Sequence, residues 1–237
     1  MTNFYRIAGL QVLMDIKSPR LLESAEKYIC APFKVPHVVL EGYDEEAGRN
    51  HQLVSQVSPD MWTEILASDD FYRQALKYKV NFLHSSAIVV DGWAYLISAS
   101  SQVGKSFHTQ LWQKYLGPGR TKIINDDKPA IYPDGKGHWF AYGTPFSGAS
   151  DSNLNECAPI AAVCMLERSK NNWVRPEKGP RILDDMLRQT QKPYDEEEKY
   201  IIVNSFSKMI TQTPTFRIGV NTDIEAARIV YEAIRKR

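Results

Sequence analysis

The stretch that decides the fold runs Trp93-Ala94-Tyr95-Leu96-Ile97-Ser98-Ala99-Ser100-Ser101-Gln102-Val103-Gly104-Lys105-Ser106. Its first five residues are aromatic, β-branched or apolar, the composition of a buried strand. Small polar residues follow, and then Phe107, Leu111 and Tyr115 at i, i+4 spacing, with Trp112 and Leu116 beside them, predict a helix. Gly117-Pro118-Gly119 stops it. The octapeptide Ala99 to Ser106 fits G-x-x-x-x-G-K-[ST], except that Ala99 stands where the first glycine belongs. A turn of this kind between strand and helix points successive backbone N–H groups at one place, and the helix N-terminus adds partial positive charge. Lys105 would then reach the β- and γ-phosphates of a nucleotide, and the Ser106 hydroxyl would bind Mg²⁺. Ala99, Ser101, Gln102, Val103, Gly104 and Phe107 complete the candidate nucleotide-binding set. The competing reading is a glycine turn that caps a helix carrying an exposed lysine. The Cβ of Ala99, which disfavours backbone geometry open to glycine, is the feature on its side.

Outward from the loop, Ala87 to Val90 and Trp93 to Ile97 flank Asp91-Gly92, a strong hairpin signal. Downstream, Ile123-Ile124 begins a short strand ending at Asn125-Asp126-Asp127, 20 residues after Ser106. Carboxylates at a strand end beside a phosphate loop can hold Mg²⁺, and one of two can instead accept a proton from an attacking hydroxyl. An acidic turn before Lys128-Pro129 is the plainer alternative. Further predicted strands lie at Ala130 to Tyr132, His138 to Tyr142, Ile160 to Leu166 and Phe216 to Val220. Helices are expected near Pro180 to Gln189, over Glu196 to Ile210, and from about Asp223 with Ile224, Ala227, Val230, Tyr231 and Ile234 on its apolar face. In the first 80 or so residues, Ile7 to Met14, His37 to Leu40 and Gln52 to Val57 read as strands. Met61 to Ala67 and Asp69 to Val80 read as helices. That part carries no chemical motif and reads as a small α+β unit packed on the rest.

With 237 residues, 43 % hydrophobic and 24 % charged, the chain has the composition of a globular protein of one or two domains. A net charge of +1 with no basic stripe argues against nucleic-acid binding. No run nears the roughly 18 apolar residues that span a bilayer, and no leader pattern opens the chain, so a cytoplasmic location and no membrane partner are expected. Cys30, Cys157 and Cys164 form neither a disulfide framework nor a CxxC site. His37, His51, His108 and His138 show no metal-ligand spacing. Arg168 or Arg175, after the buried strand, could add positive charge. Gly148, Ser150, Asp151, Ser152 and Asn153 read as a surface loop, with an acceptor-binding or lid loop as the alternative.

Leu83-His84-Ser85-Ser86-Ala87-Ile88-Val89-Val90, the loop ending Gly104-Lys105-Ser106, and Asn125-Asp126-Asp127 together resemble the HPr kinase/phosphorylase family. They also resemble the wider phosphoenolpyruvate-carboxykinase-like P-loop group. Gly143-Thr144-Pro145-Phe146-Ser147-Gly148 further resembles small stand-alone HPr-kinase-related proteins. The resemblance covers about residues 80 to 237. It implies a mixed α/β domain over 81–237 with a largely antiparallel, bent β core, preceded by an α+β extension over 1–80. It implies ATP and Mg²⁺ as cofactors and phosphoryl transfer to a serine of a protein or peptide. By this resemblance His84, Asp126 and Asp127 would be catalytic, and Ser106, Asp126 and Asp127 would hold the metal. The family loop has glycine where Ala99 and Gln102 stand here, so a degenerate nucleotide-binding or scaffold protein of the same fold is the alternative. The acceptor and the oligomeric state stay open.

Overall fold

In the computed structural model, which describes residues 3–43 and 58–235, β1 (Asn3–Ile7) and β2 (Leu10–Ile16) form an antiparallel hairpin. The sequence suggests one strand over Ile7 to Met14. Instead the chain reverses at Ala8-Gly9, both with positive φ (+49° and +78°), because a two-residue hairpin needs that left-handed backbone. β2 buries Leu10, Val12, Met14 and Ile16 on one face. β3 (Val38–Tyr43) adds to β2 in parallel, giving a three-stranded sheet. Helix α1 (Pro19–Ala25) starts at Ser18, whose hydroxyl accepts from the Leu21 N–H, with proline in the first turn. Helix α2 (Pro59–Ala75) repeats the device with Ser58 and Pro59. Two helices were expected where α2 is continuous. Ser68, the apparent break, bonds back to the Ile65 carbonyl and stays in the helix. The strand expected over Gln52 to Val57 lies outside the described residues.

The remaining strands form a nine-stranded mixed sheet. They are β4 (Asn81–Phe82), β5 (Ser85–Val90), β6 (Trp93–Ser98), β7 (Thr121–Asn125), β8 (Ala130–Pro133) and β9 (Trp139–Tyr142). β10 (Cys157–Arg168), β11 (Trp173–Pro176) and β12 (Thr215–Val220) complete it. The order is β4-β8-β9-β10-β6-β5-β7, with β12 also on β10 and β11 on β12. Strand β10 organises the whole. One edge pairs with β6 in parallel; the other pairs first with β9, antiparallel at Cys157 to Pro159, and then with β12, parallel from Val163 to Arg168. A register shift between Ile160 and Ala162 accompanies this exchange of partners. β11 was not anticipated: it is a four-residue edge strand, ends in Pro176 and pairs with β12. At the hairpin turn Asp91 and Gly92 take φ of +50° and +84°, as its residue types require.

Four helices flank this sheet: α3 (Lys105–Leu116), α4 (Pro180–Leu187), α5 (Glu196–Gln212) and α6 (Ile224–Ile234). The apolar spacing of Phe107, Leu111 and Tyr115 suggests the wrong buried face for α3. Phe107 and Tyr115 are exposed, and the helix buries Lys105, His108, Thr109, Leu111 and Trp112. Trp112 decides this, with its ring 5.2 Å from Tyr95 and 5.3 Å from Tyr231 of α6. On α6, Ile224 is exposed and Ala226 takes its expected place in the buried face. The core under the N-terminal sheet (Tyr5, Leu21, Tyr28, Phe71, Tyr72) also takes in Ala130 and Phe146. Among the described residues no helix is long and apolar enough to cross a membrane.

Candidate functional site

Strands β6, β10 and β12 run parallel, so their carboxyl ends lie at one end of the sheet. The loop Ala99 to Gly104 leaves β6 there, and α3 begins at Lys105. Ala99 is buried and its φ is not among the positive values, so its Cβ fits and the loop needs no glycine there. The strain falls elsewhere: Gln102 takes φ +63° and Gly104 φ +120°. A Cβ on Gly104 would meet nothing within 4 Å, so glycine serves there by conformation alone. Arg168, at the end of β10, holds the loop through two of its carbonyls. Its Nε donates to the Val103 carbonyl at 3.1 Å and its Nη2 to the Gln102 carbonyl at 2.5 Å. Those bonds occupy carbonyls and leave a guanidinium beside the loop. Arg175, on β11, lies over the Trp173 ring instead.

Lys105 is buried and turns inward, its Nζ 3.1 Å from His84 Nε2 and 3.3 Å from the Ala99 carbonyl. Burial pushes its ammonium pKa down, and the nearby charges of Asp127 and Asp126 push it back only in part. His84 Nε2 also lies 3.0 Å from Asp127 Oδ1, while its Nδ1 is 3.1 Å from Gln189 Oε1. An ammonium only donates and a carboxylate only accepts. Nε2 can therefore take a hydrogen bond from Lys105 or give one to Asp127, but not both. The two bonds alternate, so His84 donates to Asp127 whenever Lys105 is not donating to Nε2. Burial raises the Asp127 carboxyl pKa, but the His84 hydrogen bond and the charges of His84, Lys128 and Lys105 outweigh it and hold the group below its ordinary value.

The aspartate pair is fixed from below by Asn125, which is fully buried and fully used. Its Oδ1 accepts from the Asp127 N–H at 2.9 Å, and its Nδ2 donates to Thr144 and to the Phe146 carbonyl. Asp126 is buried too, and its Oδ1 has no hydrogen-bond partner among the described residues. An orphaned carboxylate oxygen near the Ala99–Gly104 loop fits a hard cation, which takes oxygen ligands. Among the described residues no cluster of three or more His, Cys, Asp or Glu is arranged for a metal. Mg²⁺ fits such a sparse set, since it is commonly held by one or two carboxylates plus phosphate oxygens and water.

Missing from the sequence reading is a contribution from the first 80 residues. The Gly143 to Asn153 segment, expected as a surface loop at its end, lies beside Asp127 and is tied down from α1 and α2. A Cβ on Gly148 would stand 3.0 Å from the Asp127 carboxyl carbon. Buried Glu64 of α2 accepts from the Gly148 N–H at 2.9 Å, and Arg20 of α1 bridges Glu64, Asp151 and the Gly148 carbonyl. Ser24 donates to the Pro145 carbonyl, and Tyr28 to Asn153. Burial pushes the Glu64 carboxyl up, against the Gly148 and Arg20 bonds that favour its charge. Arg20→Met should therefore cost about 2 kcal/mol, since it removes charge-assisted hydrogen bonds from a buried carboxylate. Urea unfolding of Arg20→Met and of the double variant with Glu64→Gln checks this, with the double variant recovering part of the loss.

No protein-family model matches the chain, and no curated protein matches its sequence. Among solved structures, the Hpr(Ser) kinase/phosphatase from Coxiella burnetii is similar at a TM-score of 0.37 and 12 % identity, over 64 % of this chain and 95 % of that one.

Proposed function

We propose that the chain is an ATP-binding phosphotransferase of the phosphoenolpyruvate-carboxykinase-like P-loop type that phosphorylates a hydroxyl, most simply a serine, of a protein or peptide. The observation that carries this reading is the contest of Lys105 and Asp127 for His84 Nε2 beside a strand–loop–helix turn. Bound MgATP would supply the phosphoryl group, and its metal would neutralise charge on the phosphate oxygens. Ala99, Ser101, Gln102, Val103 and Gly104 would line the phosphates, and Lys105 would leave His84 to meet them. Ser106 and Asp126 would hold the metal, Asp126 through its orphaned Oδ1. Asp127, held by Asn125 and then by His84, would accept the proton of the acceptor hydroxyl as that oxygen bonds to the γ-phosphorus and the bond to the β-phosphate oxygen breaks. Residues 1–80 would serve as an extension that shapes the acceptor side through Gly148. A second reading, nucleotide binding without turnover, is favoured by Gln102, whose side chain sits at a strained loop position.

Calorimetric titration of MgATP separates these. The wild type should bind, Lys105→Ala should weaken binding at least about 30-fold, the scale of lost charge-assisted hydrogen bonds, and Asp127→Asn should bind while losing transfer. A folded wild type that binds no MgATP would sink both readings.

A further inference from the structure

A cleft of about 560 Å³ is lined by Val103 and Gly104 of the loop, Phe107 and His108 of α3, and Arg168, Lys170 and Val220. His108 is 1 % exposed. Its Nε2 lies 3.1 Å from Trp112 Nε1. An indole N–H only donates, so Nε2 must present its lone pair, and the proton of the neutral ring must sit on Nδ1. That Nδ1–H is buried and has no hydrogen-bond partner among the described residues. Buried donors are nearly always paired, so an unpaired one in a side chain that lines a cleft marks a place for an acceptor. Phe107, next in the chain, is 44 % exposed, an aromatic face left uncovered at the same cleft.

We propose that this cleft receives the heterocyclic base of the nucleotide, with His108 Nδ1–H donating to a ring nitrogen or carbonyl of the base and Phe107 lying against its face. The inference rests on the phosphate-loop reading and deepens it, because the cleft shares Val103 and Gly104 with the loop. It makes His108 the residue that tells a nucleoside polyphosphate from a bare polyphosphate. Val103 and Val220 supply apolar walls of the kind that flat heterocycles occupy.

The test compares MgATP with magnesium tripolyphosphate by calorimetry in the wild type, His108→Phe, Phe107→Ala and Lys105→Ala. In the wild type MgATP should bind at least about tenfold tighter than tripolyphosphate, one well-placed hydrogen bond and a stacked ring being worth that much. His108→Phe and Phe107→Ala should each lose most of that preference, MgATP affinity falling far more than tripolyphosphate affinity, and the tripolyphosphate binding that remains also reports an intact fold. Lys105→Ala should weaken both ligands. Equal affinity of the wild type for the two ligands would overturn the base site and leave the phosphate loop standing. So would variants that weaken both ligands alike. Failure of both ligands to bind the folded wild type would overturn the base site and the loop together.

Discussion

Replacing Gly143 by alanine should destabilise the protein by about 3 kcal/mol or more, the upper end of forced overpacking against rigid groups. A Cβ there would lie 1.8 Å from the Leu154 carbonyl oxygen and 2.5 Å from that of Ile124. Neither oxygen can retreat. Ile124 O accepts from the Leu154 N–H at 2.9 Å, and the Gly143 N–H is itself bonded to the Glu156 carbonyl. Unlike Gly104, Gly143 is required by space rather than by φ. Its neighbours lead straight to the site, since Thr144 and Phe146 hold Asn125 and Asn125 holds Asp127. Gly135→Ala is the control: φ is +78° with open space around it, so only about 1 kcal/mol of backbone strain is expected. Urea midpoints of the two variants check the contrast, and a Gly143→Ala protein as stable as the wild type would refute this close packing.

Acid should destabilise the protein by about 3 kcal/mol through His108 alone. The unfolded imidazole titrates near its ordinary 6.5, and burial in the folded state lowers it to about 4. Between these values the unfolded chain binds a proton that the folded chain refuses, so stability falls as pH falls, by about 1.4 kcal/mol per unit. Above 6.5 the contribution is complete and flat; below 4 no more is lost. Trp112 reinforces the effect because its N–H needs the Nε2 lone pair that protonation would remove. Other groups also titrate in this range, so the measurement is a difference. Unfolding free energies at pH 7 and pH 4.5 should diverge strongly for the wild type and less for His108→Phe. Equal pH slopes in the two proteins would show that His108 can be protonated in the folded state.

The loop and its flanking strand and helix were legible because their signals are local. Asp91-Gly92, Gly104 and Gly117 each mark a backbone conformation, and period-2 and period-3.6 runs lie between them. Asp126 and Asp127 were legible for the same reason, at the end of a short apolar run. The clamp on Gly148 was not, because Arg20, Ser24 and Tyr28 reach residues more than 120 positions away and no local pattern encodes that meeting. The buried face of α3 misled because Phe107 is apolar yet lies at a cleft, while Lys105, His108 and Thr109 are polar yet buried. Only the i, i+4 pair His108 and Trp112 offered a hint, since a tryptophan N–H one turn from a histidine can fix its tautomer. The break assumed at Ser68 and the strand assumed across Ala8-Gly9 show the reverse error: short-range propensity yields to hydrogen bonds that a hydroxyl or a hairpin supplies.

Strand β10 has a consequence for how the chain comes together during synthesis. Its residues from Val163 to Arg168 wait for β12, which begins 47 positions after Arg168 at Thr215. Until then the stretch Val163-Cys164-Met165-Leu166 has one unpaired edge, apolar and in register to template strangers. A chain still on the ribosome carries that open edge until β12 has been made. Arg168 grips the Ala99–Gly104 loop from the end of the same strand, so the strand whose edge β12 closes is also the one that holds the loop.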